Sequence, residues 1–151
     1  LLNWDTGEFR VIAHEDEAAM LREFCETCRG EMGRLNEMIG FNSRAFDLPF
    51  LIRRSFKHRV PVPFGVRRGR YWGDEIVDLR EVWQLGDRQA RGSLDSIARH
   101  LGVGQKTGCE PHGPPNGAAF AALWQSDREK ALAYLKNDLE LTLKVAEALG
   151  V

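Results

Sequence analysis

Apolar residues recur at intervals of three and four along much of the chain, the spacing that places side chains on one face of a helix. In the first such stretch, Leu21, Phe24, Cys25 and Cys28 form an apolar stripe. This pattern predicts helices over residues 15 to about 29, 47 to about 56, 94 to 101, 118 to 124 and 127 to about 149.

Capping residues predict where two of these helices begin and end. Ser93 is expected to cap the third helix, and Gly102 is expected to end it. Ser126 and Glu129 have the spacing of a capping box for the last helix, which is expected to end at Gly150.

Short apolar runs predict strands between these helices. Residues 1–4 and 8–13 flank Asp5-Thr6-Gly7, a sequence typical of a hairpin turn. Two further strands are predicted over residues 38–41 and 75–79. Strands early in the chain, with helices throughout, indicate an α/β fold in which three layers are expected. At 151 residues, the chain is long enough to bury the core of one domain over residues 1–151.

Composition narrows the class of protein without indicating a function. Hydrophobic residues make up 43% and charged residues 28%, which is the balance of an ordinary globular domain. The net charge of −1 gives no overall attraction for nucleic acid, so any basic surface must be local. No apolar run approaches the roughly 18 residues of a membrane span, so no membrane partner is expected. Three cysteines, an odd number, argue against a disulfide framework, and without a leader pattern a cytoplasmic location is expected.

The stretch from residue 40 to residue 51, Gly-Phe-Asn-Ser-Arg-Ala-Phe-Asp-Leu-Pro-Phe-Leu, carries the most information about function. A short apolar strand ends there, Asn42 follows, and Asp47 lies at the start of a helix among aromatic residues. A carboxylate in such surroundings loses solvation unless a cation or hydrogen bonds compensate it. The alternative is an ordinary helix-capping aspartate that takes part in no chemistry.

This stretch resembles the second exonuclease motif of the DEDD superfamily, in the form found in family-B DNA polymerases. That form has Gly-aromatic-Asn, three residues, and then Phe-Asp-Leu-Pro-aromatic-Leu. The resemblance implies that Asp47 serves a metal site, in that family often through a water molecule. It also implies that Asn42 and Phe46 contact the 3′-terminal nucleotide.

Another motif lies on the predicted closing helix, where Tyr134 and Asp138 are four residues apart and share one face. Tyr-x-x-x-Asp alone is a weak signal, but after the first stretch it resembles the third motif of the same superfamily. There the Asp binds metal and the Tyr hydroxyl orients the attacking water. The histidine variant has its histidine five residues before the Asp, where this chain has Ala133, so the resemblance is to the tyrosine (DEDDy) subclass.

Between these motifs, the chain resembles a bacterial group of predicted exonucleases related to the proofreading domain of polymerase B. The matching segments are Tyr71-Trp72, Val77-Asp78-Leu79, Gly92-Ser93-Leu94-Asp95, and Leu101-Gly102 followed by Lys106. The resemblance implies a ribonuclease H-like three-layer fold, with a mixed central sheet flanked by helices. It implies a 3′-5′ exonuclease that acts on nucleic acid with a free 3′ end, and single-stranded DNA is the expected substrate. An RNA substrate stays open, because sugar selectivity depends on contacts to the 2′ position.

The resemblance also implies two divalent ions, held about 4 Å apart by four carboxylates. Hard oxygen ligands suit Mg²⁺ or Mn²⁺. Asp47 and Asp138 match two of the four carboxylates; the others belong to an Asp-x-Glu motif on the first strand. We expect that strand upstream of Leu1, with real loss of the motif, or a substitute built from Asp5 and Glu8, as the alternatives. A chain that lacked the motif would be a non-catalytic module that binds nucleic acid or protein.

The stretch from residue 48 to residue 73 is basic, with no acidic residue and with seven cations, at positions 53, 54, 57, 59, 67, 68 and 70. It directly follows the second motif, so it is expected to form one side of a groove for single-stranded nucleic acid. Arg67, Arg68 and Arg70 are expected to contact phosphates there, and Trp72 is expected to stack on a base. The alternative is a solvated helix face and loop.

Neutralising Arg67, Arg68 and Arg70 together is expected to weaken single-strand binding, because each lost phosphate contact reduces the number of counterions that are released on binding. The measurement is an equilibrium binding titration at several salt concentrations. A salt slope that stays unchanged would contradict the groove.

Two cysteine-containing segments, Cys25-Glu-Thr-Cys28 and Cys109-Glu-Pro-His112, have spacings found in zinc sites. Cys25 and Cys28 lie on an apolar stripe, where free cysteine is a common core residue, so core packing is the favoured interpretation. A zinc site built from all four stays the alternative. By resemblance alone, Lys106 is expected to contact phosphate.

Overall fold

The computed structural model describes residues 1–32, 37–63, 76–87, 89–106 and 117–151, with only the backbone described at residues 31, 32 and 117–119. The described residues form these elements, in order: α1 (Glu17–Met32), β1 (Met38–Gly40), α2 (Asp47–Lys57), β2 (Ile76–Asp78), α3 (Leu79–Gln84), α4 (Leu94–Leu101), α5 (Gly117–Ser126) and α6 (Arg128–Leu149). The predicted α/β class is confirmed, and the three-layer arrangement stays a prediction. No helix among the described residues is both long and apolar enough to cross a bilayer.

The chain divides into two compact units, named here by their place in the sequence. The central unit is Val11–Ala90, and the terminal unit combines Leu1–Arg10 with Arg91–Val151. The motif around Asp47 falls in the central unit, and the motif around Asp138 falls in the terminal unit.

A parallel pair of short strands organises the central unit. β1 pairs with β2 in a register that places Gly40 opposite Asp78. Both strands were predicted, but both end one residue earlier than expected: β1 ends at Gly40, and β2 ends at Asp78 because Leu79 already begins the helix α3. Asp78 causes this change of direction: its side chain accepts a hydrogen bond from the Arg80 backbone N–H and so caps α3.

Two apolar clusters form the core of the central unit. Leu48, Val62 and Ile76 form the first, and Leu21, Cys25 and Val60 form the second. The second cluster confirms the apolar stripe predicted for α1, since Cys28 is buried as well. The expected stop at Gly30 is wrong: the helix runs past residue 29 to Met32, because a single glycine is tolerated within a helix at a modest cost.

A polar contact ties α1 to α2 at the edge of this core. Glu17 on α1 accepts hydrogen bonds from the Arg54 guanidinium, and its carboxylate lies 2.8 Å from Nε2 of His58. The hydrogen bond with Arg54, followed by that with His58, outweighs desolvation and lowers the pKa of Glu17 from 4.5 to about 2.

Replacing Glu17 with glutamine is expected to reduce stability at neutral pH and to flatten its acid dependence. The folded-state pKa of Glu17 is depressed, so its contribution is complete above about pH 4.5 and disappears as the pH falls towards 2. Urea unfolding across this range checks the prediction, with Glu26→Gln, an exposed position on the same helix, as the matched control. Parallel pH profiles for the wild type and Glu17→Gln would contradict it.

Helix packing around α6 forms the terminal unit. α4 and α5 both pack against α6, and the buried residues of α4 and α6 are Leu94, Ile97, Ala98, Ala131, Leu141, Val145 and Ala146. The predicted N-terminal hairpin is present as an antiparallel bridge between Leu2 and Phe9, with Gly7 at φ +69° in the turn.

The predicted caps are confirmed for α4 but not for the start of α6. Ser93 caps α4 through the Ser96 backbone N–H, and Gly102 ends it in the left-handed conformation. The capping box predicted from Ser126 is wrong, because Asp127 caps α6 and accepts from Lys130 N at 3.0 Å.

Candidate functional site

A tight turn follows β1 and leads into α2. Asn42 adopts a left-handed backbone at φ +60°, a conformation that asparagine tolerates better than most residues. A Cβ atom at Gly40 would lie 2.7 Å from Oγ of Ser43, so the turn excludes a larger residue there. The glycine and the asparagine of the motif therefore have backbone roles as well as any role in binding.

A buried carboxylate holds this turn in place. Asp78, 3% exposed, accepts hydrogen bonds from three backbone N–H groups: Asn42 at 2.8 Å, Arg44 at 2.9 Å and Arg80 at 3.0 Å. These donors lie on both segments that it joins, the turn after β1 and the start of α3. Asp78 thus fixes the backbone that presents the motif.

Asp47 occupies the first turn of α2 and does not cap the helix. The capping position belongs to Phe46, whose side chain makes no capping hydrogen bond. Desolvation, with a smaller contribution from the negative charge of Asp78, raises the pKa of Asp47 above its usual range. Asp47 is exposed, so its carboxylate is accessible to a cation from solvent, and the negative charge of Asp78 would favour binding of that cation.

The two other predicted residues of this motif differ in their surroundings. Phe46 is 66% exposed, so a base could stack on its ring. The side-chain oxygen of Asn42 accepts a hydrogen bond from the Arg80 guanidinium at 3.1 Å. A nucleotide that bound the side-chain oxygen of Asn42 would therefore share that oxygen with Arg80.

A three-residue polar cluster on the terminal unit contains the motif of Tyr134 and Asp138. Tyr134 and Asp138 lie one turn apart on α6, and Lys106 reaches both. The Lys106 ammonium lies 2.7 Å from Oδ2 of Asp138 and 3.4 Å from the Tyr134 hydroxyl. It also lies 5.5 Å from the centre of the Tyr134 ring.

Lys106 is held in this position from two directions. Its backbone N–H donates to Oδ1 of Asp95 on α4 at 2.7 Å, which fixes the chain just after that helix. Burial alone would lower the pKa of Lys106, but the hydrogen bond and charge of Asp138, with Tyr134, outweigh it and raise the pKa. The lysine is therefore a permanent cation beside Asp138.

The second oxygen of Asp138 has no hydrogen-bond partner among the described residues, although it is buried. A buried carboxylate oxygen without a partner is costly, and a bound cation or an ordered water molecule would satisfy it. The donor chemistry at this position therefore fits a hard divalent cation. Within the described residues, no three His, Cys, Asp or Glu side chains gather into one group.

The comparison with protein families bears directly on both motifs. A family model described as a predicted 3′-5′ exonuclease related to the exonuclease domain of PolB matches residues 2–142. The chain belongs to this family of predicted exonucleases. The match includes every residue proposed above for the site, from Asn42 to Asp138. No curated protein and no solved structure shows significant similarity to this exonuclease-family chain.

Several predicted residues of this exonuclease-family chain lie outside the described residues. They are Arg67, Arg68, Arg70, Trp72, Cys109 and His112. Their roles in binding nucleic acid or zinc stay predictions.

The two cysteines of α1 are described and occupy the core. Burial raises the pKa of the Cys25 thiol, and it raises that of Cys28 to about 12. Because zinc binds the thiolate, this environment disfavours a zinc site there. Core packing is the interpretation that the burial of both residues supports.

The motifs did not reveal two positioning residues, Asp78 and Asp95. Each lies within a segment that resembles the family, but the resemblance gives neither residue a role. An available signal was that Asp78 follows a buried strand, where a carboxylate must find hydrogen bonds. Asp95 gave no such signal, because its partner, the Lys106 backbone, lies 11 residues further along the chain.

Proposed function

We propose that the protein is a metal-dependent 3′-5′ exonuclease of the tyrosine (DEDDy) subclass, acting on single-stranded DNA. Membership of the exonuclease family supports the reaction class. The observation that carries the assignment of the site is the environment of Asp138, which has one oxygen on Lys106 and the other buried without a partner among the described residues. Such a carboxylate suits cation binding better than structural packing.

Two acidic residues bind metal in this proposal. Asp138, next to the Tyr134 hydroxyl, binds a divalent cation directly, and Asp47 binds through its carboxylate or through a water molecule. Two Mg²⁺ or Mn²⁺ ions, when bound, activate water and stabilise charge on the leaving oxygen. Mg²⁺ and Mn²⁺ prefer the hard oxygen ligands that both residues supply.

The remaining side chains bind and orient the substrate. The Tyr134 hydroxyl orients the attacking water. Phe46 stacks on the terminal base, and Asn42 hydrogen-bonds the terminal nucleotide beside Arg80. Lys106 contacts phosphate or holds Asp138 and Tyr134 in position, as its contacts to both side chains support.

The experiment is a digestion assay of the full-length protein on end-labelled single-stranded DNA, single-stranded RNA and duplex DNA. We expect stepwise shortening from the 3′ end of single-stranded DNA with Mg²⁺ or Mn²⁺, and none with EDTA. Shortening of RNA alone would change the substrate to RNA. Binding without cleavage under every metal condition would indicate a non-catalytic nucleic-acid-binding module, and neither binding nor cleavage would contradict the proposal altogether.

A further inference from the structure

One face of α2 exposes aromatic and basic side chains in a single line. At 100° per residue, Phe46, Phe50, Arg53 and Lys57 fall within about 60° of one another around the helix axis. Phe46 is 66% and Phe50 56% exposed, and both basic residues are exposed. We call these four residues the α2 stripe.

The basic residues of the stripe differ from their neighbour Arg54. Arg54 points to α1, where Glu17 binds its guanidinium, so its charge is neutralised within the fold. Arg53 and Lys57 have no acidic partner among the described residues. Only one acidic residue, Asp47, occurs on α2 itself. Positive charge therefore remains exposed along the stripe.

The stripe places aromatic and basic side chains along one path, as a nucleic-acid strand has bases and phosphates along its length. Phe46 directly precedes Asp47, and the helix then extends about 16 Å from there to Lys57. Exposed aromatic rings bind bases of any sequence by stacking, and cations on the same path bind the phosphates.

We propose that the α2 stripe binds the single-stranded nucleic acid upstream of its 3′-terminal nucleotide, with Phe50 stacking on a base and Arg53 and Lys57 contacting phosphates. This inference rests on the proposed function, because it takes the 3′ end to lie at Asp47. It assigns binding to Phe50, Arg53 and Lys57. It also separates the basic residues of this helix into a structural one, Arg54, and two that bind substrate.

The test is fluorescence anisotropy of the full-length protein with a labelled oligothymidylate of roughly twelve nucleotides, in EDTA so that no cleavage occurs. Phe50→Ala is expected to weaken binding by about 5- to 150-fold, the range for one lost base stack. The double variant Arg53→Gln/Lys57→Gln is expected to reduce the slope of log affinity against log salt by about 1.4, for two phosphates on a single strand.

Matched controls separate the stripe from general effects of charge and hydrophobicity. Phe56→Ala removes a phenylalanine of similar exposure, 61%, that lies on the same helix but about 80° from Phe46. Arg22→Gln/Lys144→Gln removes the same charge from exposed positions on α1 and α6. Both controls are expected to keep the wild-type affinity and salt slope.

The outcomes distinguish failure of this inference from failure of the proposed function. Wild-type binding by the stripe variants, in a protein that still cleaves 3′ ends, would overturn the inference alone. The same loss of binding in the controls would also overturn it, because the effect would not be specific to the stripe. Absence of both binding and cleavage in the wild type would overturn the two proposals together. Stripe-dependent binding to phosphatidylserine vesicles that exceeds binding to the oligonucleotide would assign the face to a membrane instead.

Discussion

Replacing Asp138 with asparagine is expected to lower kcat by roughly 10³-fold while the protein stays folded. Asparagine keeps the size of the side chain and keeps an oxygen that can accept from Lys106, 2.7 Å away in the wild type. It removes the negative charge that the proposed divalent cation requires. The alanine variant is expected to lose the same activity and also about 1–3 kcal/mol of stability, because the ammonium of the partly buried Lys106 loses its acceptor.

Glu140→Gln is the matched control for Asp138→Asn. It removes one negative charge from the same helix, at an exposed position whose contact with Lys136 is 3.8 Å long. Such a pair contributes little to stability, so this variant is expected to keep full activity. Steady-state kinetics and a Mn²⁺ binding titration are the measurements. Full activity or unchanged Mn²⁺ affinity in Asp138→Asn would show that Asp138 is not a metal ligand.

Local patterns in the sequence predicted most of the helices because their signals lie within a few residues. The apolar stripe of α1 is such a signal, and Leu21 and Cys25 are buried as it requires. Ser93 and Gly102 cap the two ends of α4, and they too could be predicted because each lies next to the helix in the sequence. The error at the start of α6 also has a local cause, since two potential capping residues, Ser126 and Asp127, are adjacent and the structure uses the second.

The contacts that position the candidate site could not be predicted in the same way. Lys106 meets Asp138 across 32 residues of sequence, and no spacing rule links them. Asp78 meets Asn42 across 36 residues, and only the parallel register of β1 and β2 brings them together. The family resemblance identified the residues of the motifs, whereas the structure identifies the residues that hold those motifs in place.

Replacing Asp78 with alanine is expected to lower the free energy of unfolding by about 2–4 kcal/mol. Loss of the α3 cap accounts for about 1 kcal/mol, and leaving the partly buried Asn42 and Arg44 N–H groups without an acceptor accounts for the rest. Asparagine is not expected to restore stability, because its NH₂ group would face one of these donors. Urea unfolding measures the change.

The exposed cap of α6 provides the control for Asp78. Asp127 accepts from the Lys130 backbone N–H group, and Asp127→Ala is expected to lower the free energy of unfolding by less than Asp78→Ala does. The additional loss of stability in Asp78→Ala measures how much Asp78 stabilises the turn that presents Asn42 and Asp47, since no comparable turn depends on Asp127. Displacing a motif by about 1 Å can reduce a rate by 10²-fold, so cleavage by the folded fraction of Asp78→Ala should fall as well. Equal stability losses at the two caps, with cleavage unaffected, would mean that the turn keeps its shape without this carboxylate.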